Sequence, residues 1–163
     1  MDEATLTALR QDNVTANIVD AALRIHRDLG PGLLESVYES ILARELTERG
    51  FEVERQKLAD FDYRGQLYRE GFRVDLIVDR WVVIELKSIE KITPVHSKQL
   101  LTYLKLLGLP VGLLINFGGA TLREGLKRMV NTPRPQAVRL PIATGGESNQ
   151  RYHAERTFEE PAT

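Results

Sequence analysis

Two opposite charges, Glu85 and Lys87, close an otherwise apolar run, Val82-Val83-Ile84-Glu85-Leu86-Lys87. Side chains alternate along a strand, so both point to the same face. An uncompensated carboxylate in an apolar site costs roughly several kcal/mol, so Glu85 requires a lysine, an arginine or a metal ion beside it. Asp75 lies on the preceding strand-like run, Phe72–Val78, connected through Asp79, Arg80 and Trp81. Paired residues of an antiparallel hairpin share a face, so Asp75 opposes Glu85 only if the loop has an odd length or a bulge shifts the pairing. A three-residue loop meets that condition, whereas a two-residue turn would set Asp75 opposite Ile84. Two carboxylates and an ammonium converging there suit magnesium or manganese, hard ions that take oxygen ligands. Such an ion clamps a phosphate and activates a water. Lys87 would orient or help deprotonate that water and stabilise charge on a phosphorane-like transition state. On these three residues alone, a structural ion pair at a sheet edge is the more economical reading, because acid-rich hairpins are common.

The elements that must position these groups are legible in the patterning. Val14, Ile18, Ala21, Ala22, Ile25 and Leu29 recur at helical spacing until Gly30-Pro31-Gly32 stops the helix. A second apolar stripe, Leu34, Val37, Tyr38, Ile41, Leu42, Ala43 and Leu46, predicts another helix ending at Gly50. Strand-like runs follow at Phe51–Lys57, Ala59–Tyr63, Gln66–Tyr68, Phe72–Val78 and Val82–Ser88, an antiparallel meander. Pro94 opens a helix that Gly108 closes, and Val111–Phe117 reads as a strand buried on both faces, which makes a βαβ crossover. Thr121–Val130 is compatible with a strand or a short helix, since Gly125 weakens both. The expected organisation is an N-terminal arm over 1–13, one α/β domain over 14–130 and a mobile polar tail over 131–163, where prolines and glycines replace core-forming residues.

Composition bounds what this domain can do. A chain of 163 residues builds one sizeable core and not two. Its net charge of −1 means that nucleic acid must be met by a local patch or a bound cation and not by a basic surface. The absence of cysteine excludes disulfides, thiolate zinc sites and cysteine-ligated iron–sulfur clusters, and fits a reducing, cytoplasmic setting. Met1–Gln11 is unlike a signal peptide, and no apolar run approaches the ~20 residues of a membrane span.

Asp75 followed by Glu85-Leu86-Lys87 resembles the metal site of the PD-(D/E)XK nuclease superfamily, with Val74 where many members carry proline. His26-Arg27-Asp28-Leu29-Gly30-Pro31-Gly32-Leu33-Leu34-Glu35-Ser36-Val37-Tyr38 resembles the signature of the GxxExxY protein family, and the resemblance runs from about Val14 to Val130, including Asn116-Phe117-Gly118. It implies a restriction-endonuclease-like core, a mixed central sheet flanked by helices. It also implies DNA hydrolysis dependent on magnesium or manganese, with Asp75, Glu85 and Glu35 as metal ligands and Lys87 as catalytic partner. Gln99 and Tyr103 are similar to the Gln-x-x-x-Tyr motif of RecB-like exonucleases, where Gln positions the lysine and Tyr approaches DNA. Tyr38 joins Tyr103 as a substrate-binding candidate. Some relatives with that motif carry a four-cysteine iron–sulfur cluster, which this chain cannot.

Each supporting residue also has an ordinary role. Glu35 suits the positive end of its helix, Tyr38 a core position with its hydroxyl on a carboxylate, and Gln99 and Tyr103 a boundary, while His26 and His96, weak candidates for metal or phosphate binding, suit helix capping better. Arg55, Lys57, Arg64, Arg69, Arg73, Lys91 and Lys98 form a phosphate-facing rim or are solvated charges. The leading expectation is a DNA phosphodiesterase, as a homodimer if it cuts both strands. A catalytically inactive nucleic-acid or protein-binding module with the same fold is the alternative. A third is a ligand-binding or oligomerisation domain using Tyr63, Tyr68 and Tyr103.

Overall fold

A computed structural model describes residues 2–131. Helices α1 (Glu3–Leu29) and α2 (Glu35–Glu48) precede strands β1 (Val53–Tyr63), β2 (Gln66–Val78) and β3 (Val82–Lys87). Helix α3 (Pro94–Leu107), β4 (Val111–Asn116), a 3-10 turn (Leu122–Gly125) and β5 (Leu126–Val130) complete the order. The tail expected over 131–163 falls, apart from Asn131, outside the described residues. The segment expected as an N-terminal arm is helical from Glu3. Residues 3–13 contain no glycine or proline to break a helix.

Five strands form one sheet in the order β1-β2-β3-β4-β5, with β3 and β4 parallel and the other pairs antiparallel. The meander and the crossover through α3 are both present. Leu76, Val78, Val82, Ile84, Leu86, Leu113 and Ile115 pack against α1 and α2 on one face. On the other, Val74, Ile77, Val83 and Leu114 meet Leu100 and Leu104 of α3. Every residue of β4 is buried, as a strand covered on both faces must be. Among the described residues no helix is long and apolar enough to cross a membrane.

The two interrupted runs on either side of Arg64-Gly65 are one long hairpin. Its register shifts between Ala59 and Phe61, where Glu70 adopts positive φ and its N–H donates to Asp60 Oδ1 at 2.7 Å. This bulge is what split each strand's alternation in the sequence. The Gly30-Pro31-Gly32 hinge is pinned by Tyr38, whose hydroxyl donates to the Gly30 carbonyl at 2.6 Å and accepts the Leu33 N–H at 3.2 Å. Gly108 ends α3 in the left-handed conformation, at φ 65°.

Candidate active site

The loop between β2 and β3 has three residues, Asp79, Arg80 and Trp81, because Val78 pairs with Val82, Ile77 with Val83 and Leu76 with Ile84. Continuing that register sets Asp75 against Glu85, on the odd-numbered side of β3 together with Lys87. The ladder itself stops at Leu76–Ile84, and the Asp75 carboxylate takes over: Oδ2 accepts the Leu86 N–H at 2.8 Å. On its other edge β2 is also irregular at this point. Leu76 pairs with Arg55 and Val74 with Lys57, while Gln56, between them, has φ 49°. Asp75 thus sits where the sheet departs from regular pairing on both sides, which leaves its carboxylate to do something other than line a ladder.

Glu85 is only 2% exposed. Its Oε1 accepts from Lys87 Nζ at 2.6 Å, and its Oε2 is buried with no hydrogen-bond partner. Glu35, at the first turn of α2, accepts the Ser88 N–H at 3.2 Å, while the Ser88 hydroxyl donates to the Leu33 carbonyl at 2.6 Å. These bonds fasten the hinge to the end of β3 and bring Glu35 to the rim of the same field. Among the described residues, no arginine is paired with Asp75 or Glu85, and no three His, Asp or Glu side chains stand together as a ready-made metal cage.

The electrostatics show two acids forced together. Burial pushes the Asp75 carboxyl up from its ordinary value; the Leu86 N–H and Lys87 oppose this, while Glu39 and Glu35 add to it. Burial likewise raises Glu85, against the Lys87 hydrogen bond and with Asp75 and Glu35 adding to the rise. For Lys87, burial alone would lower the value, but Glu85, Glu35 and Asp75 together outweigh it and the ammonium is held above its usual range. Carboxyls raised in the folded state bind protons more tightly there than in the unfolded chain. Their stabilising contribution is therefore full below the unfolded values and is lost as pH rises through the folded ones. In chelator, the stability advantage of an Asp75→Asn variant over the parent is expected to grow between about pH 4 and 7, measured by urea melts across that range.

Glu39, which the sequence reading passed over, is the other buried acid here. It is held by Arg55 at 3.0 Å and by the Gln56 amide. Gln56 is the left-handed residue facing Asp75, so Glu39 fixes the β1 irregularity as well as contributing to the field at Asp75. The signal available in sequence was an acid one residue after Tyr38, but its partners lie on β1 and only the fold brings them in. This arrangement also reassigns Arg55 from the expected phosphate rim. Lys57 pairs with Glu54, whereas Arg64, Arg69, Arg73, Lys91 and Lys98 are exposed.

Asn116, quoted in the sequence only as part of a motif, holds the chain that leaves β3. Its amide donates to the Ile89 carbonyl at 2.8 Å, and its oxygen accepts from the N–H groups of Ile89 and Gly118 at 3.0 and 3.1 Å. The Phe117 N–H adds a bond to the Lys87 carbonyl at 2.7 Å. Gly118 is required beside it, since a Cβ there would stand 2.4 Å from the Ile89 oxygen. Asn116→Ala leaves three backbone groups without partners and is expected to cost about 2–4 kcal/mol in a denaturant melt.

Two expectations need correction. Tyr38 is fully buried, stacked on Phe117 at 4.3 Å, so it cannot touch a substrate; its hydroxyl serves the hinge and not a carboxylate. Gln99 donates to the Tyr103 hydroxyl at 2.9 Å and does not hold Lys87, which Glu85 holds instead. His26 and His96 are structural: His26 Nε2 bonds the Gly119 carbonyl at 2.9 Å, and His96 closes the capping box of α3 with Thr93. Tyr103 is half-buried and stacks on Phe72 at 4.6 Å.

Residues 12–129 match the PD-(D/E)XK nuclease superfamily. The chain belongs to this superfamily. The match covers all five strands but the last residue of β5, and with it the mixed sheet and its helices form a restriction-endonuclease-like α/β fold. Membership makes the chain one of a superfamily of nucleases, whose members typically use divalent metals. No curated protein and no solved structure matches it. The residues present suit such an ion. The unpartnered Glu85 Oε2 is a buried acceptor without a donor, a state that is costly unless a cation completes it. Two carboxylates are enough for magnesium, which keeps several waters and takes further oxygens from a substrate phosphate.

Proposed function

We propose that this chain is a metal-dependent nuclease of the GxxExxY group that hydrolyses DNA phosphodiester bonds by attack of water, working in a reducing, cytoplasmic setting. The observation that carries the reading is the buried, unpartnered Glu85 Oε2 opposite Asp75 with Lys87 alongside. Asp75 and Glu85 are the residues that would hold magnesium or manganese, with Glu35 reaching the ion directly or through water. When bound, that cation supplies charge neutralisation at the phosphate and a more acidic water. Lys87 presents N–H donors at the strand end, where negative charge grows on the phosphoryl oxygens. Because its ammonium is already a donor to Glu85, its part is charge stabilisation and orientation of water. The Leu86 N–H fixes the Asp75 carboxylate, and the Asn116 clamp fixes the chain immediately beyond Lys87.

The absence, among the described residues, of a preassembled three-acid cage favours a second reading, a binding module that retains the fold without turnover. One assay separates them. DNA incubated with manganese or magnesium is degraded by the parent protein, and Glu85→Ala, with folding verified by circular dichroism, leaves the DNA intact. Metal-dependent cleavage that persists in Glu85→Ala, or none by the parent protein, contradicts the nuclease proposal.

A further inference from the structure

The β1–β2 hairpin extends well beyond β3, which pairs only with Leu76–Val78. One face of this overhang carries a continuous line of rings. Tyr103 of α3 stacks on Phe72 at 4.6 Å, Phe72 lies 6.4 Å from Phe61, and Phe61 stacks on Tyr68 at 5.1 Å. Tyr63 continues the same face at the tip, as its pairing with Gln66 and its spacing from Phe61 require, and Arg64 sits 5.3 Å from its ring centroid. The line starts at Phe72, three residues from Asp75, and ends in solvent: Tyr68 is 45% and Tyr63 56% exposed.

The charges are sorted as well. Register places Lys57, Ala59, Gln66 and Val74 with the rings, while Asp60 and Asp62 fall on the opposite face. Helix α3 contains no acid and exposes Lys98 and Lys105. An overall charge of −1 gives no general attraction for a polyanion, so an exposed aromatic surface with Arg64 at its tip and abutting the acidic centre is a specific feature. Tyrosines exposed at the end of a rigid ring stack are of use to a partner with flat apolar faces and negative charges. A duplex hides its base faces, whereas a single strand offers them.

We propose that this face is a stacking platform for single-stranded nucleic acid, whose bases lie on Tyr68 and Tyr63 while its backbone passes Arg64, Lys98 and Lys105 towards Asp75 and Glu85. Phe61, Phe72 and Tyr103 hold the platform in line. The inference rests on the nuclease reading for the destination of the strand, but binding is measured without turnover. The test is fluorescence anisotropy of labelled oligo(dT), and of a mixed-sequence strand with and without its complement, against the full chain in chelator. The strand is expected to bind at least about tenfold more tightly than its duplex. Tyr63→Ala/Tyr68→Ala should weaken strand binding by about fivefold to a hundredfold for each base unstacked. Single Tyr63→Ala, at the hairpin tip where the fold makes least demand, should give part of that loss. Equal affinity for strand and duplex, or unchanged strand binding in a folded variant, overturns the platform. So does a sedimentation result in which those tyrosines support self-association and no strand binding is found. Tyrosine-dependent strand binding without hydrolysis in metal would leave the platform standing and remove the nuclease reading.

Discussion

Asp75→Asn is expected to abolish metal-dependent DNA cleavage and, in the same protein without metal, to raise stability. The two effects have one cause. Asn retains the oxygen that accepts the Leu86 N–H, so the local geometry survives. It removes a negative charge whose carboxyl is raised by burial, with Glu39 and Glu35 adding to the rise, and it relieves the pressure that Asp75 exerts on Glu85. Functional sites commonly hold such unfavourable arrangements, and neutralising one typically returns about 0.5–2 kcal/mol. The activity loss should reach at least about a hundred- to thousandfold, the scale for deleting one charge-stabilising group. Thermal melts in chelator and cleavage assays in manganese read the two effects separately. Manganese should raise the melting temperature of the parent and have little effect on the variant.

Lys87→Met should lose activity on a similar scale and move stability the other way. Lys87 is the partner of Glu85 Oε1, and Glu85 Oε2 has no partner already. Removing the ammonium strands a buried carboxylate, at a cost of about 3 kcal/mol or more near neutral pH. The loss should shrink as pH falls, because Glu85, deprived of the bond that lowers it, is then protonated in the folded state. Glu85→Gln combined with Lys87→Met should recover most of the lost stability and none of the activity, an interaction that a double-mutant cycle measures.

Much of the fold could be read in the chain because the informative signals were local. The chain narrowed the β2–β3 loop to two readings, and the three-residue one of Asp79, Arg80 and Trp81 is what sets Asp75 and Glu85 on one face. The crossover through α3 was equally plain from Pro94, Gly108 and the apolar run of β4. What escaped depends on distant partners. Glu39 matters through Arg55 and Gln56, on a strand whose irregularity no alternation pattern reveals. Asn116 matters through Ile89, across the crossover. The core position of Tyr38 was legible from its helical spacing, but the partner of its hydroxyl, the Gly30 carbonyl across the hinge, was not.

The central claim is that Asp75 and Glu85 together form a cation site at the end of β3. Anomalous diffraction from a crystal soaked in manganese addresses it directly. The account predicts a peak within bonding distance of Asp75 and of Glu85 Oε2, absent from an Asp75→Asn crystal treated identically. A fully exchanged crystal with no peak between those carboxylates, or with Lys87 bridging both of them instead, would contradict it.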